Sequence, residues 1–180
     1  MRRPSWDEYF MIIAKLVSSR STCLSRRCGA VIVKDKRILA TGYNGSMPKA
    51  PHCLDEGECF RRKIKVPEQG KYDYCRAIHA EANAIAQAAR LGVSIKGATI
   101  YQTLFPCYNC LKLMASTGIK KVFYEYDYES PDKKRDAFWH QAAKESGIEI
   151  KKLEVSKETI DYILPFLAEI TSKRRLKSSL

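Results

Sequence analysis

The stretch FPCYNCLKLM, Phe105 to Met114, places two thiols three residues apart directly behind a proline. Upstream of it, Ala98 to Leu104 is a run rich in β-branched and aromatic residues and reads as a strand. Downstream, the segment continues as a helix to Thr117 and stops at Gly118. Pro106 suits the first turn of that helix, and Cys107 and Cys110, at i and i+3, then share a side. A helix N-terminus favours negative charge, which lowers a thiol pKa and stabilises thiolates as metal ligands. A redox dithiol also uses this spacing, so the remainder of the chain must decide.

Working outward, elements alternate. Trp6, Tyr9, Phe10, Ile13, Leu16 and Val17 recur at helical spacing and give an opening helix to about Ser18. Gly29 to Val33 reads as a buried strand, Asp35-Lys36 as a turn, and Arg37 to Thr41 as its partner, ending at GYNG, Gly42 to Gly45. IHAEANAIAQAARLG, from Ile78, is rich in strong helix formers and stops at Gly92. Lys120 to Tyr126 is a further strand. Ser130-Pro131 reads as an N-cap and first helical residue of a helix ending at Gly147. A short strand over Ile148 to Leu153 and a final helix from Ser156 to about Ile170, with Pro165 inside it, complete the pattern. Strands alternating with helices predict an α/β fold, a three-layer α/β/α arrangement on a central mixed five-stranded sheet. Residues 1–150 are expected to form the main domain, and 151–180 a C-terminal helix and a basic tail that includes Lys173-Arg174-Arg175.

The partner for the thiols is His79-Ala80-Glu81, at the start of the preceding helix. Two helices leaving one edge of a sheet bring their N-termini together, so His79, Cys107 and Cys110 make three ligands for Zn²⁺. Structural zinc takes four protein ligands; three leave a position for water, whose pKa the metal brings toward neutrality. Glu81 is then placed to shuttle protons between that water and a leaving group.

At these residues the chain resembles the cytidine/deoxycytidylate deaminase superfamily, whose H-x-E…P-C-x-x-C signature it carries. TCLSRRCGAVIV from Thr22, ATGYNGS from Ala40, HCLDEGEC in the long loop and YCRAIHAEANAI resemble the deoxycytidylate (dCMP) deaminase branch, over about Trp6 to Tyr128. The resemblance implies zinc-dependent hydrolysis of dCMP to dUMP and ammonia, which feeds thymidylate synthesis, with water activated at the metal adding to C4 and Glu81 moving protons. It also implies a homo-oligomer, a hexamer in many members, and in many of them control by dCTP and dTTP with Mg²⁺. Carried over residue by residue, Asn44 falls where the branch contacts sugar and base, and Tyr128 where an aromatic packs on the pyrimidine. Arg26 stands where a cation would meet the 5′-phosphate, with Arg27 nearly as well placed. Arg90, at the end of the His79 helix, is a candidate for a subunit or effector contact.

The stretch from Ser46 to about Arg76 has no clear period, and ordering it costs about 1–2 kcal/mol per residue. Cys23, Cys53, Cys59 and Cys75 closing on a second, structural Zn²⁺ would staple it, with His52 as a substitute for one thiol; the branch carries such a zinc in members with similar loops. The alternative is four reduced cysteines and a mobile loop. Cys28, inside the strand run, reads as a small core residue.

The chain has seven cysteines, an odd number that suits metal ligation in a reducing compartment. No apolar run approaches a membrane span, and Asp7 and Glu8 interrupt any signal-peptide core, so a cytoplasmic protein is expected. The formal net charge of +12 fits either an anionic partner or a solvated basic surface. Two rivals remain at this stage. An RNA-acting (tRNA adenosine) deaminase would use the same zinc chemistry, and a non-catalytic DNA-uptake or competence-associated module would keep the fold alone.

Overall fold

A computed structural model describes residues 3–67, 73–128 and 133–169. The chain order is α1 (Trp6–Ser18), β1 (Gly29–Lys34), β2 (Arg37–Tyr43), β3 (Gly45–Ser46), α2 (Phe60–Lys63), β4 (Ala77–Ile78), α3 (Ala80–Arg90), β5 (Thr99–Leu104), α4 (Tyr108–Ser116), β6 (Lys121–Tyr126), α5 (Lys133–Glu145), β7 (Glu149–Lys152) and α6 (Lys157–Glu169). The proposed N-cap at Ser130-Pro131 and the basic tail lie outside the described residues.

Five strands form one mixed sheet in the order β2-β1-β5-β6-β7. The β1–β2 hairpin and the β1–β5 pair are antiparallel, and β5, β6 and β7 run parallel across helical crossovers. The hairpin turn is made by Asp35 and Lys36, both with positive φ, at 50° and 59°. That is the paired left-handed geometry a two-residue hairpin turn needs. On one face, Phe10, Met11 and Ala14 of α1 pack on Val31, Tyr101 and Phe123, and Leu153 and Val155 lead into α6 on the same side. Thr159 of α6 donates to Glu8 of α1, with 2.8 Å between oxygens. On the other face, α3, α4 and α5 cover Ile32, Ile100 and Val122. The three-layer α/β/α reading is borne out.

Two glycines bring helices against the hairpin. A Cβ at Gly42 would collide with Ala80 O and Ala84 N of α3, and one at Gly29 with Ala14 O and Ser18 N of α1. Ala80, Ala84 and Ala88 form the buried stripe of α3, one small residue per turn, so that helix lies backbone-close on β2. This contact fixes where its first turn, and hence His79 and Glu81, can sit.

Two local expectations need correction. Pro106 is not in the first turn of α4: it precedes the N-cap, Cys107, which keeps extended geometry at φ −72° and ψ 162°. The long loop is also less irregular than its sequence suggests. It contains α2 and is bracketed by the short β3–β4 pair. Arg76 holds it by a 3.1 Å bond to Glu56 and by lying 3.7 Å over the Phe60 ring.

Candidate active site

His79 and Cys107 hold equivalent positions, each the N-cap of the helix it precedes, and neither side chain caps its own helix. Both are turned toward each other instead. His79 Nδ1 lies 3.4 Å from Cys107 Sγ and 3.6 Å from Cys110 Sγ. All three ligand atoms fall within 4.8 Å of one another, and among the described residues this is the one such group. Zn–N of about 2.0–2.1 Å and Zn–S of about 2.3 Å in a tetrahedron put ligand atoms about 3.5–3.8 Å apart, so the cage is the right size for zinc. The donor set, one imidazole and two sulfurs, also suits it. Both helices aim their positive ends at the cage, which favours two thiolates.

The ionisable groups are strongly perturbed. The hydrogen bond from Cys110, with help from His79, pulls the Cys107 thiol down to about 4. The same bond, together with burial, pushes Cys110 up. Cys107 likewise raises His79. Glu81, in the first turn of α3, is only 7% exposed, and burial pushes its carboxyl up to about 7. A carboxyl poised near neutrality both takes and gives a proton, which is what an acid–base catalyst needs. A disulfide between Cys107 and Cys110, the redox reading, is absent: both are free thiols.

These groups open into a cavity of about 450 Å³. Asn44, Arg26 and Tyr128 all border it, while Arg27 does not. The Arg26 guanidinium lies 5.6 Å from the centre of the Tyr128 ring. Asn44 does more than line the wall. Its Oδ1 accepts from Cys28 N at 2.8 Å and from Ser21 Oγ at 2.5 Å, and its Nδ2 donates to Arg26 O at 2.5 Å. Its amide therefore pins the loop that presents Arg26. Cys28 packs against the core as expected but also borders the cavity, and burial pushes its thiol up to about 12.

The loop thiols are divided. Cys53 and Cys59 are buried, whereas Cys23 and Cys75 border the cavity. The four are not drawn to ligand spacing, although Cys23 and Cys59 lie near enough to bear on the ionisation of Cys75, which burial raises. His52 instead meets the Thr22 hydroxyl at 3.0 Å. Arg90 is exposed at the far end of α3.

Among the cavity residues that sequence reasoning missed are Arg61, Gln102 and Trp139. Arg61 sits in a basic triplet whose inward member the sequence does not mark. Trp139 of α5 stacks at 6° to Tyr108, with centroids 6.0 Å apart, and reads from the sequence as ordinary helix core. Gln102 had a usable signal, since period-two alternation along β5 puts it on one face with Ile100 and Leu104, where a polar residue needs a reason.

A three-ligand metal cage beside a buried carboxyl, at the bottom of a cavity wide enough for a heterocycle, is the equipment of a metal-assisted hydrolase. Residues 4–126 match the family model of the cytidine and deoxycytidylate deaminase zinc-binding region, and the chain belongs to that family. It is 40% identical over 162 residues to ComE operon protein 2 of Bacillus subtilis (strain 168), spanning 89% of this chain and 78% of that protein. It is 44% identical over 130 residues to the deoxycytidylate deaminase of Mycobacterium phage D29, spanning 69% of this chain and 97% of that one. Among solved structures, the dCMP deaminase of cyanophage S-TIM5 in complex with dCMP and dUMP superposes with a TM-score of 0.65 at 29% identity. That superposition covers 85% of this chain and all (100%) of the other.

Proposed function

We propose that this protein hydrolyses dCMP to dUMP and ammonia. The observation that carries the reading is one cavity holding the His79–Cys107–Cys110 cage and Glu81 together with two guanidiniums, Arg26 and Arg61. Relatives and a structural neighbour named as deoxycytidylate deaminases support the choice of nucleotide.

His79, Cys107 and Cys110 would hold Zn²⁺, which supplies the Lewis acidity that brings water toward ionisation at neutral pH. Glu81 takes a proton from the attacking water and delivers it to N3 of the pyrimidine. It then carries the second proton to the departing amine. The O–C4 bond forms, the C4–N4 bond breaks, and the two water protons end on N3 and on ammonia. Tyr128 and Trp139 give the ring aromatic walls, and Arg26 and Arg61 meet the 5′-phosphate, which a planar guanidinium binds well. Asn44 contributes by holding the Arg26 loop.

The same reading extends to a second, structural zinc among Cys23, Cys53, Cys59 and Cys75, which rests on the resemblance to deoxycytidylate deaminases with similar loops. It extends to residues 1–150 as the catalytic domain, with β7 straddling the boundary to the C-terminal helix and tail, and to a cytoplasmic setting. A homo-oligomer, hexameric in many relatives of this kind, is supported by the exposed Leu164, Phe166 and Leu167 on α6. The resemblance carries control by dCTP and dTTP with Mg²⁺. Among the described residues, no helix is long and apolar enough to cross a membrane.

Incubating purified protein with dCMP, CMP, deoxycytidine and a transfer RNA, and measuring ammonia or inosine, tests the assignment. Preferential turnover of dCMP is expected. Equal efficiency on deoxycytidine removes the phosphate from the reading, editing of RNA alone replaces it, and no product from any substrate returns the protein to a non-catalytic module.

A further inference from the structure

Gln102 lies in the middle of β5, paired with Ala30 on one side and Tyr124 on the other, and it is 1% exposed. Its Nε2 donates to Leu104 O at 2.9 Å, which fixes which end of the amide is which. Its Oε1 is buried and has no hydrogen-bond partner. Leaving a buried acceptor unpaired costs about 1–3 kcal/mol, so natural structures rarely tolerate one without a reason. Here the orphaned atom belongs to a residue that lines the cavity holding His79, Glu81 and Cys107.

We propose that Gln102 is a specificity residue that reads the amino group of the substrate ring, its Oε1 accepting a hydrogen bond from the C4 amine. Depth and chemistry argue for this together. Arg26, at the phosphate end, is exposed, whereas Gln102 sits in the sheet floor on the strand that runs directly into Cys107. The base, rather than the sugar phosphate, reaches that floor. A cytosine ring in a nucleotide has one class of hydrogen-bond donor, its amino group; N3 and O2 are acceptors. An acceptor at the depth the base reaches therefore has one match on the ring, the C4 amine. The product replaces that donor with a carbonyl, which would face Oε1 lone pair to lone pair. Gln102 thus favours the substrate over the product at the position where the reaction changes the group, and helps expel dUMP.

The inference rests on the dCMP reading above, and its test separates the two. Zinc-loaded full-length protein carrying Glu81→Ala binds without turnover and removes the other acid–base group that could contact the amine. Calorimetric titration of this protein with dCMP and with dUMP should give about tenfold tighter binding of dCMP. In the Glu81→Ala/Gln102→Leu and Glu81→Ala/Gln102→Met proteins that preference should fall to about one. A preference that persists in either variant overturns the assignment, even if the variant melts lower, because that result describes a packing role only. Equal affinity for the two nucleotides in the protein that keeps Gln102 overturns it as well, whether or not the variants fold. Binding of neither nucleotide to that protein sinks the dCMP reading, and the role of Gln102 falls with it.

Discussion

Replacing Asn44 with alanine separates two roles that look alike from the sequence: contact with the substrate, and support for the residue that makes contact. The side chain is 7% exposed, and its amide serves three groups. Ser21 Oγ already has Asn44 O within 2.9 Å, so its hydroxyl keeps a partner after truncation. Cys28 N and Arg26 O lose theirs. Two bonds at about 1 kcal/mol each give a loss near 2 kcal/mol. In a chain of this size that lowers Tm by about 4–8 °C. Because the lost bonds anchor residues 26–28, KM for dCMP should rise while kcat changes little. Asn44→Asp keeps the acceptor for Cys28 N and loses only the donor to Arg26 O, so it should fall between wild type and alanine in Tm. Thermal melting followed by circular dichroism, read beside the KM and kcat of each variant, checks the ordering. A large rise in KM with Tm unchanged would refute the reasoning, since it would mean that the amide acts on the nucleotide directly.

Three further outcomes follow from the same geometry. Glu81→Gln should lose about 10²–10⁴-fold in kcat while its zinc content, measured by atomic absorption, stays at the wild-type level; equal loss of metal would assign Glu81 to the cage. Gly42→Ala should lower Tm and kcat together, because its methyl meets Ala80 O and Ala84 N and must push the start of α3 away from β2; a wild-type melting curve would show that the contact has slack. Total zinc should be two per chain in the wild type and one in Cys53→Ser/Cys59→Ser; one in both, with the loop thiols freely titratable in the folded protein, removes the structural zinc.

The residues legible in the sequence are those whose relation is covalent and local. Cys107 and Cys110 are three apart on a helix start, His79 and Glu81 two apart on another, and alternation of strands and helices places both starts at one sheet edge. Even there, the exact role of Pro106 was misread, since Cys107, not the proline, stands at the helix boundary. The mixed character of the sheet was legible for the same reason, since hairpins and crossovers are short-range events, whereas the antiparallel β1–β5 pairing that sets the strand order joins distant segments and was not. The loop from Ser46 to Arg76 was legible only as a problem. Its partial solution, Arg76 between Glu56 and the Phe60 ring, joins residues up to twenty positions apart with no periodicity to announce them.

What remained hidden has a single physical origin. Arg61, Gln102 and Trp139 enter the cavity from a four-residue helix, a sheet interior and the α5 crossover, and their meeting depends on how three layers stack. A polar residue on the core side of a strand is the one such case with a detectable trace, because burying an amide is costly unless something answers it. In Gln102 the protein supplies half of the answer through Leu104 O and leaves the other half unpaired, on a residue that lines the cavity. An enzyme that must bind an amine and release a carbonyl gains from leaving that acceptor open: it is satisfied before the bond to nitrogen breaks and repelled afterwards. The cost carried in the unliganded fold is thereby returned as discrimination between substrate and product, which an apolar side chain of the same volume would not provide.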